Sequence, residues 1–215
     1  MKTIFDLLSG TRVLEKTLSQ YNKDIEVIKD LTWGTYIKVG GLTQSGGILF
    51  DVWQNTLQKL QKTKPEVKNC LILGLGGGSV AKIIAKKYPK AKIRGVDIDK
   101  VMVDLGKKYL GLTKIKIEIK IQDAYEFVIK NLKSKYDLIV VDLYCGDKFP
   151  KKFEQSKFLK LSHELMSTDS VIVFNRLYGP NNQTRSLAFG KVLEKHFKKV
   201  DHIFPQANLM FVCYN

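Results

Sequence analysis

The sequence has few cysteines, prolines and arginines, and it has no long uncharged hydrophobic run. Three of its 215 residues are cysteine and five are proline. Because Cys70, Cys145 and Cys213 are far apart, with no CxxC pair and no histidine at ligand spacing, neither a disulfide framework nor a zinc site is predicted. No stretch approaches the roughly 20 apolar residues that a membrane span requires. The sequence therefore predicts no metal and no membrane contact.

The N-terminus does not resemble a signal peptide. Its apolar run contains Asp6, and no small-residue cleavage site follows. With the low cysteine content, this predicts a cytoplasmic protein. The length is that of one domain with a short appendage.

The charge balance is strongly basic, with a formal net charge of +15 from 36 basic and 21 acidic residues. Such an excess attracts polyanions without sequence specificity. Only four of the basic residues are arginine, and the lysines are spread along the whole chain. Arginine is the side chain that forks onto phosphates, so a solvated lysine surface is favoured and nucleic-acid binding stays open as an alternative.

Residues 1–64 are expected to form a small N-terminal unit. A helical rhythm runs over residues 3–20, with apolar positions at Ile4, Leu7, Val13, Leu14 and Leu18. Residues 25–28 and 35–39 read as two strands of one β-hairpin, and residues 48–61 return to helical spacing.

Residues 65–215 alternate buried strands with amphipathic helices. Strands are predicted at 69–74, 92–97, 115–121, 137–142 and 170–175, and helices at 79–88, 100–109, 124–133, 154–166 and 184–197. This is the pattern of a doubly wound, mostly parallel α/β sheet. Two further strands at 200–204 and 208–214 are joined too closely for a parallel crossover, so they should form an antiparallel hairpin.

A glycine-rich turn follows the first strand of this second unit. Gly74, Gly76, Gly77 and Gly78 stand between the apolar run Leu71-Ile72-Leu73 and a predicted helix. Glycines at this point allow backbone to approach a ligand closely at the carboxyl edge of the sheet. On its own the motif is weak.

Acidic residues at the ends of the next three strands strengthen the interpretation. Asp97 stands where a carboxylate accepts hydrogen bonds from the two ribose hydroxyls of a nucleoside. Asp99 is better explained as a helix N-cap. Asp123 can meet an adenine amino group or act as an N-cap, and Asp142 ends the fourth strand. The predicted cofactor site also includes the residues that directly follow two of the acids, Ile98 and Ala124.

Two cofactor classes fit a glycine turn of this kind. The run from Gly74 to Ser79 nearly matches the dinucleotide fingerprint. However, a second mononucleotide-binding half is missing, and the terminal hairpin resembles the class I methyltransferase fold, which favours S-adenosylmethionine over NAD.

The sequence resembles the spermidine synthase family, the polyamine aminopropyltransferases. The resemblance rests on residues 41–45, Trp53-Gln54, the glycine turn, residues 96–99, residues 122–127 and Val141-Asp142. It implies a methyltransferase fold preceded by a small β domain. It also implies that Gln44 contacts the nucleoside, Asp97 the ribose and Asp123 the adenine, while Asp142 accepts a proton from the attacking amine.

Three departures from that family are apparent. An aspartate usual in the glycine turn, which would select the decarboxylated cofactor, is replaced by Gly77. The run from Asp142 to Asp147 differs from the usual pair of aspartates three residues apart. The N-terminal region leaves room for one hairpin rather than a full β domain.

Three hypotheses follow. The first is a methyltransferase that uses intact S-adenosylmethionine on an unidentified small-molecule acceptor. The second is an aminopropyltransferase that uses decarboxylated S-adenosylmethionine and an amine, and the third is a non-catalytic protein that binds nucleic acid or a partner. The predicted substrate-binding residues are Trp53, Gln54, Tyr144 and Asp147. The sequence is also compatible with a homodimer.

Overall fold

The computed structural model describes residues 10–215, which form two β-sheets and the helices packed against them. The first sheet is antiparallel, and each strand pairs with the next along the chain. Its strands are β1 (Arg12–Ser19), β2 (Lys23–Asp30), β3 (Gly34–Val39) and β4 (Leu42–Gly46). The predicted hairpin is therefore present as β2 and β3, inside a larger four-stranded sheet.

The prediction of an N-terminal helix is wrong for residues 12–19, which form β1. Its apolar side chains do not gather on one buried face, since Val13 and Leu18 are 44% and 69% exposed. Pairing with β2 decides the structure here, and that long-range pairing overrides a local helical rhythm. Residues 3–9 of the predicted helix lie outside the described residues. The N-terminal region is therefore richer in strand than the sequence suggested.

Helix α1 (Gly47–Thr63) links the two sheets and confirms the helix predicted at 48–61. Its buried face carries Val52, Trp53, Leu57 and Leu60, which pack into the core of the second sheet. Spacing of three and four residues places such side chains on one helix face. The division of the chain at residue 64 stays a prediction.

The second sheet has seven strands in the order β10-β11-β9-β8-β5-β6-β7. Its strands are β5 (Asn69–Leu73), β6 (Lys92–Asp97), β7 (Ile117–Ile121), β8 (Tyr136–Val141), β9 (Met166–Leu177), β10 (Lys199–Ile203) and β11 (Asn208–Tyr214). Strands β5 to β9 pair in parallel, whereas β11 is antiparallel to both β9 and β10. This confirms the mostly parallel α/β sheet with an antiparallel terminal hairpin.

Helices cover both faces of the second sheet. They are α2 (Ser79–Lys87), α3 (Lys100–Tyr109), α4 (Ala124–Lys130), α5 (Ser156–Glu164) and α6 (Gln183–Leu193). One core joins the sheet to α1, α2 and α3, and the other joins it to α4, α5 and α6. No helix within residues 10–215 is long and apolar enough to cross a membrane.

The strand order reverses at β5, and this positions the functional site. The chain passes from β5 outward to β6 and β7, then returns to the other side of β5 with β8 and β9. In an open parallel sheet, the loops that diverge at such a point leave a crevice at the carboxyl ends of the strands. A third cluster, which includes Ile25, Ile37 and Met102, packs the first sheet against α3 beside that crevice.

Candidate active site

A cavity of about 580 Å³ lies at the carboxyl ends of β5, β6 and β8. The second sheet contributes the ends of these strands, including Gly74, Asp97 and Asp142, while the first sheet contributes a wall that includes Gln44 and Ser45. A volume of this size suits a small molecule such as a nucleoside with a side arm. The cavity is therefore the candidate active site.

The glycine turn brings the ends of β5 and β8 into contact. Gly74 has a φ of +89°, and a Cβ there would lie 2.0 Å from the carbonyl oxygen of Asp142. Only glycine fits a position with both constraints. Gly76 directs its N–H to Oδ2 of Asp97 at 2.6 Å, so the turn also fixes the carboxylate at the end of β6.

Gly77 does not line the cavity and packs against the first sheet and Leu110. A Cβ at this position would lie 2.7 Å from Leu110, 2.9 Å from Ile37 and 2.9 Å from Ser45. The Gly77 N–H donates to the hydroxyl of Ser45 at 2.8 Å. Gly78 is the N-cap residue of α2. Gly74 and Gly76 line the cavity, whereas Gly77 and Gly78 lie among the residues that pack the turn in place.

Asp97 lies at the cavity wall with both carboxylate oxygens already bound once. Oδ2 accepts from Gly76 and Oδ1 accepts from the N–H of Asp99 at 2.8 Å. Burial raises the pKa of Asp97 to about 6, although both backbone N–H groups favour the charged form. Since an ionised carboxylate has about four lone-pair sites, two acceptor positions stay available for a pair of hydroxyl groups. Ile98 lies beside it in the cavity lining.

Asp99 is the N-cap of α3, as predicted, because its side chain accepts from the N–H of Val101. It also holds the turn between β1 and β2: the Ser19 hydroxyl and the Asn22 amide both donate to Oδ2 of Asp99, at 2.5 and 2.7 Å. Tyr21 and Asn22 of that turn line the cavity. Sequence reasoning missed these two residues because it placed a helix in this region.

Asp123 is the N-cap of α4 and also carries an ion pair. Its Oδ1 accepts from the N–H groups of Tyr125 and Glu126, and Lys152 approaches Oδ2 at 2.5 Å. Asp123, Ala124 and Lys152 all line the cavity. The structure thus shows the N-cap role of Asp123, and these three contacts leave about one of the four acceptor positions of its carboxylate unused. Nothing in the local sequence singled out Lys152.

Asp142 is held by two neutral donors. The indole Nε1 of Trp53 donates to Oδ2 at 2.8 Å, and Nδ2 of Asn175 donates to Oδ1 at 2.8 Å. Burial raises the pKa of Asp142, against the lowering effect of both hydrogen bonds. Asn175 in turn accepts from Asn208, which also lines the cavity and which sequence reasoning missed.

The predicted substrate-binding residues divide into two groups. Tyr144 lines the cavity, and its hydroxyl accepts from the N–H of Leu177 at 2.8 Å. Trp53 is fully buried and reaches the site only through its bond to Asp142. Gln54 and Asp147 are exposed and do not line the cavity. An amphipathic helix turns adjacent residues to different faces, which separates Gln54 from Trp53.

Gln44 connects the two sheets across the site. Its side-chain amide donates to the carbonyl oxygen of Gly146 at 2.9 Å, in the loop after β8. Gln44, Cys145 and Gly146 line the same part of the cavity. Within residues 10–215, no cluster of three or more histidine, cysteine or acidic side chains has the arrangement of a metal site.

The sequence is similar to those of known polyamine aminopropyltransferases. The polyamine aminopropyltransferase of Alkaliphilus oremlandii is 36% identical over 156 residues, which are 66% of this chain and 50% of the relative. The polyamine aminopropyltransferase 2 of Caldanaerobacter subterraneus subsp. tengcongensis is 32% identical over 163 residues, 72% of this chain and 54% of the relative. The chain spans about half the length of these curated relatives.

Two further matches concern the fold and the family. The crystal structure of spermidine synthase from Thermotoga maritima superposes with a TM-score of 0.77 at 17% identity, over 94% of this chain and 72% of that one. At this identity the likeness shows the fold. The model of the spermine/spermidine synthase domain matches residues 54–214. Because that match covers most of the sequence, the chain belongs to the spermine/spermidine synthase family.

Proposed function

We propose that this chain transfers an aminopropyl group from decarboxylated S-adenosylmethionine to the nitrogen of an amine. The observation that carries the proposal is the charge of the cavity. Among residues 10–215, Asp97, Asp123 and Asp142 line it against one cation, Lys152, although the whole chain has a net charge of +15. Lys152 is paired with Asp123, so the other two carboxylates make the cavity negative. A negative cavity attracts a sulfonium and a protonated amine.

The nucleoside half of the donor fits the residues at the ends of β6 and β7. Asp97 has acceptor positions for both ribose hydroxyls, and Asp123 has one for the adenine amino group. Ile98 and Ala124 supply apolar surface beside them. Gln44 would orient the donor from the side of the first sheet. This assignment places the sulfonium near the ends of β5 and β8, where Asp142 lies.

The donor supplies an electrophilic carbon next to its sulfonium: a nitrogen–carbon bond forms there while the carbon–sulfur bond breaks, and the electron pair leaves with methylthioadenosine. Asp142 has two functions in this step. Its negative charge attracts the acceptor as an ammonium ion, and its carboxylate then accepts a proton from the nitrogen. Trp53 and Asn175 each occupy one lone pair of the carboxylate and hold it in one orientation. The proton afterwards passes to solvent.

Methyl transfer from intact S-adenosylmethionine, the first hypothesis from the sequence, is not supported by the comparisons, which fit aminopropyl transfer better. The argument for it was a complete nucleoside site beside a lost amine anchor, with Gly77 in place of an aspartate and an altered run from Asp142 to Asp147. In this structure Gly77 does not line the cavity, and a side chain there would first meet Leu110, Ile37 and Ser45, of which only Ser45 lines it. A missing carboxylate at position 77 therefore says little about which cofactor the cavity accepts.

The direct test is incubation of the protein with decarboxylated S-adenosylmethionine and either putrescine or spermidine. Mass spectrometry should detect methylthioadenosine together with an amine that has gained one aminopropyl group. The variant Asp142→Asn should lose at least about 100-fold in kcat/KM because it can no longer accept the proton. Asp201→Asn, which removes a carboxylate on β10 outside the cavity, is the matched control. Absence of methylthioadenosine across common amines, or methylation with the intact cofactor, would exclude the proposal.

A further inference from the structure

A chain of three side chains leads from the start of β11 to the carboxylate of Asp142. Nδ2 of Asn208 donates to Oδ1 of Asn175 at 2.8 Å, and Nδ2 of Asn175 donates to Oδ1 of Asp142 at 2.8 Å. Asn175 is 2% exposed and Asn208 is 7% exposed. Buried amides of this kind are held by specific partners, because an unpaired polar group in the interior is costly.

The register of the sheet explains how residues 33 positions apart meet. β11 runs antiparallel to β9, and Asn208 pairs with Leu177. Leu177 and Asn175 are two residues apart on one strand, so their side chains point to the same face. Asn208 is thus the diagonal neighbour of Asn175 on that face, a distance that two amide side chains can span.

An asparagine amide presents an acceptor on one side and a donor on the other. If the amide of Asn175 were reversed, its oxygen would face the carboxylate of Asp142 and repel it. The donor group of Asn208 meets the oxygen of Asn175 and selects the orientation in which the NH₂ group faces Asp142. We propose that Asn208 is a positioning residue that acts on Asp142 through Asn175 by fixing this orientation.

The surroundings of Asp142 leave few other groups to take over this role. From α1, the indole of Trp53 binds the other carboxylate oxygen. Asp97 and Tyr144 also lie close, since the charge of Asp142 contributes to the raised pKa of each, and neither donates a hydrogen bond to its carboxylate. Loss of an oriented donor should therefore make the charged form of Asp142 harder to maintain.

The experiment reads the protonation of Asp142 in the free protein. The chain has two tryptophans, so in a Trp33→Phe background the emission comes from Trp53, whose indole N–H is bonded to Asp142. A carboxyl group in this position changes indole emission when it takes up a proton. A pH titration of the emission gives the midpoint for Asp142, and Asp142→Asn should abolish the transition. A parent protein without any transition would contradict the bond on which the proposal depends.

Asn208→Leu, similar in size but without a donor, should raise this midpoint by about one pH unit. Asn208→Asp should raise it further, because an acceptor at that position reverses the amide of Asn175 and adds a negative charge. Met210→Leu is the matched control, since Met210 pairs directly with Asn175 in the sheet but lies outside the hydrogen-bond chain. Its midpoint should not change.

The decisive comparison is the double variant. If Asn208 acts through Asn175, Asn208→Leu should have no further effect once Asn175→Leu is present. An equal shift in both backgrounds, or no shift in either, would overturn the proposal. The inference rests on the proposed function only for its effect on catalysis. Because the titration needs no substrate, failure of turnover and failure of the positioning role give different results.

Discussion

The indole nitrogen of Trp53 donates a 2.8 Å hydrogen bond to Oδ2 of Asp142, across 89 residues of sequence. Trp53 belongs to α1, the helix that follows the first sheet. Asp142 directly follows β8, a central strand of the second sheet. The bond therefore holds the carboxylate after β8 with a donor from α1. A tryptophan at helical spacing with Leu57 is explained by core packing and also serves the site.

Trp53→Phe tests this bond. Phenylalanine keeps most of the apolar packing and removes the donor, so the acid limb of the pH profile of kcat/KM should move up by about one pH unit. Turnover measured between pH 5 and 8 checks it. Thr56→Val, a substitution on the same buried helix face, should leave the limb in place. An unchanged limb in the tryptophan variant would show that the bond does not influence Asp142.

The pH dependence of stability tests the environment of Asp97. Its folded-state pKa of about 6 is above the ordinary value of 3.8, so the native state holds this proton more tightly than the unfolded state. Stability from this group is fully present below about pH 4 and is lost as the pH rises through about 6. The difference is about 2 pH units, or about 3 kcal/mol. In urea unfolding, the free energy of unfolding of Asp97→Asn relative to the parent should rise by about 3 kcal/mol between pH 4 and pH 7.

Asp104→Asn is the contrasting variant for that measurement. The Lys100 ammonium lowers the pKa of the exposed Asp104 side chain, so its small contribution is present at neutral pH and is lost on acidification. A gain for Asp104→Asn comparable to that for Asp97→Asn would argue against burial as the cause.

Gly74→Ala should unfold the protein or destabilise it by about 3 kcal/mol or more. The added Cβ would lie 2.0 Å from the Asp142 carbonyl oxygen at a residue with a φ of +89°. Thermal and urea unfolding measure the loss. Gly179→Ala is the control, because no heavy atom lies within 4 Å of a Cβ there and its φ is not in the left-handed region. Near-native stability of Gly74→Ala would mean that the turn lies farther from β8.

Gly77→Asp should lower stability without creating a preference for the decarboxylated cofactor. The new side chain would clash with Leu110, Ile37 and Ser45, and Gly77 itself does not line the cavity. Calorimetry with intact and decarboxylated S-adenosylmethionine, alongside urea unfolding, separates the two effects. A stable variant with a clear new preference would show that position 77 does reach the ligand.

The parts of the fold that follow from local patterns were predictable. Strands β5 and β8 are mostly buried apolar runs, and β6 pairs in parallel with β5. Parallel strands end at the same edge of a sheet, which brings the glycine turn, Asp97 and Asp142 together. Strand β1 was not predictable in this way. Its apolar side chains are largely exposed, and what makes it a strand is its pairing with β2, which no local rhythm reveals.

The site shows the same division. The acids at strand ends were predictable because the carboxyl ends of parallel strands lie at one edge of the sheet. Asn208 reaches the same edge from the beginning of a strand, because β11 runs in the opposite direction. Lys152 and the Tyr21-Asn22 turn depend on loop paths that only the folded structure defines. Nucleic-acid binding, a homodimer and the individual roles of the site residues stay predictions.

The hydrogen bonds between the β1–β2 turn and Asp99 matter for any attempt to shorten the protein. Ser19 and Asn22 both donate to Asp99, the N-cap of α3, which lies two positions after Asp97. A fragment beginning at residue 65 would keep every strand of the larger sheet, yet it would lose Tyr21, Asn22 and Gln44 from the lining of the cavity. Such a fragment would expose the carboxyl ends of β5 and β6 to water on the side that the first sheet now covers.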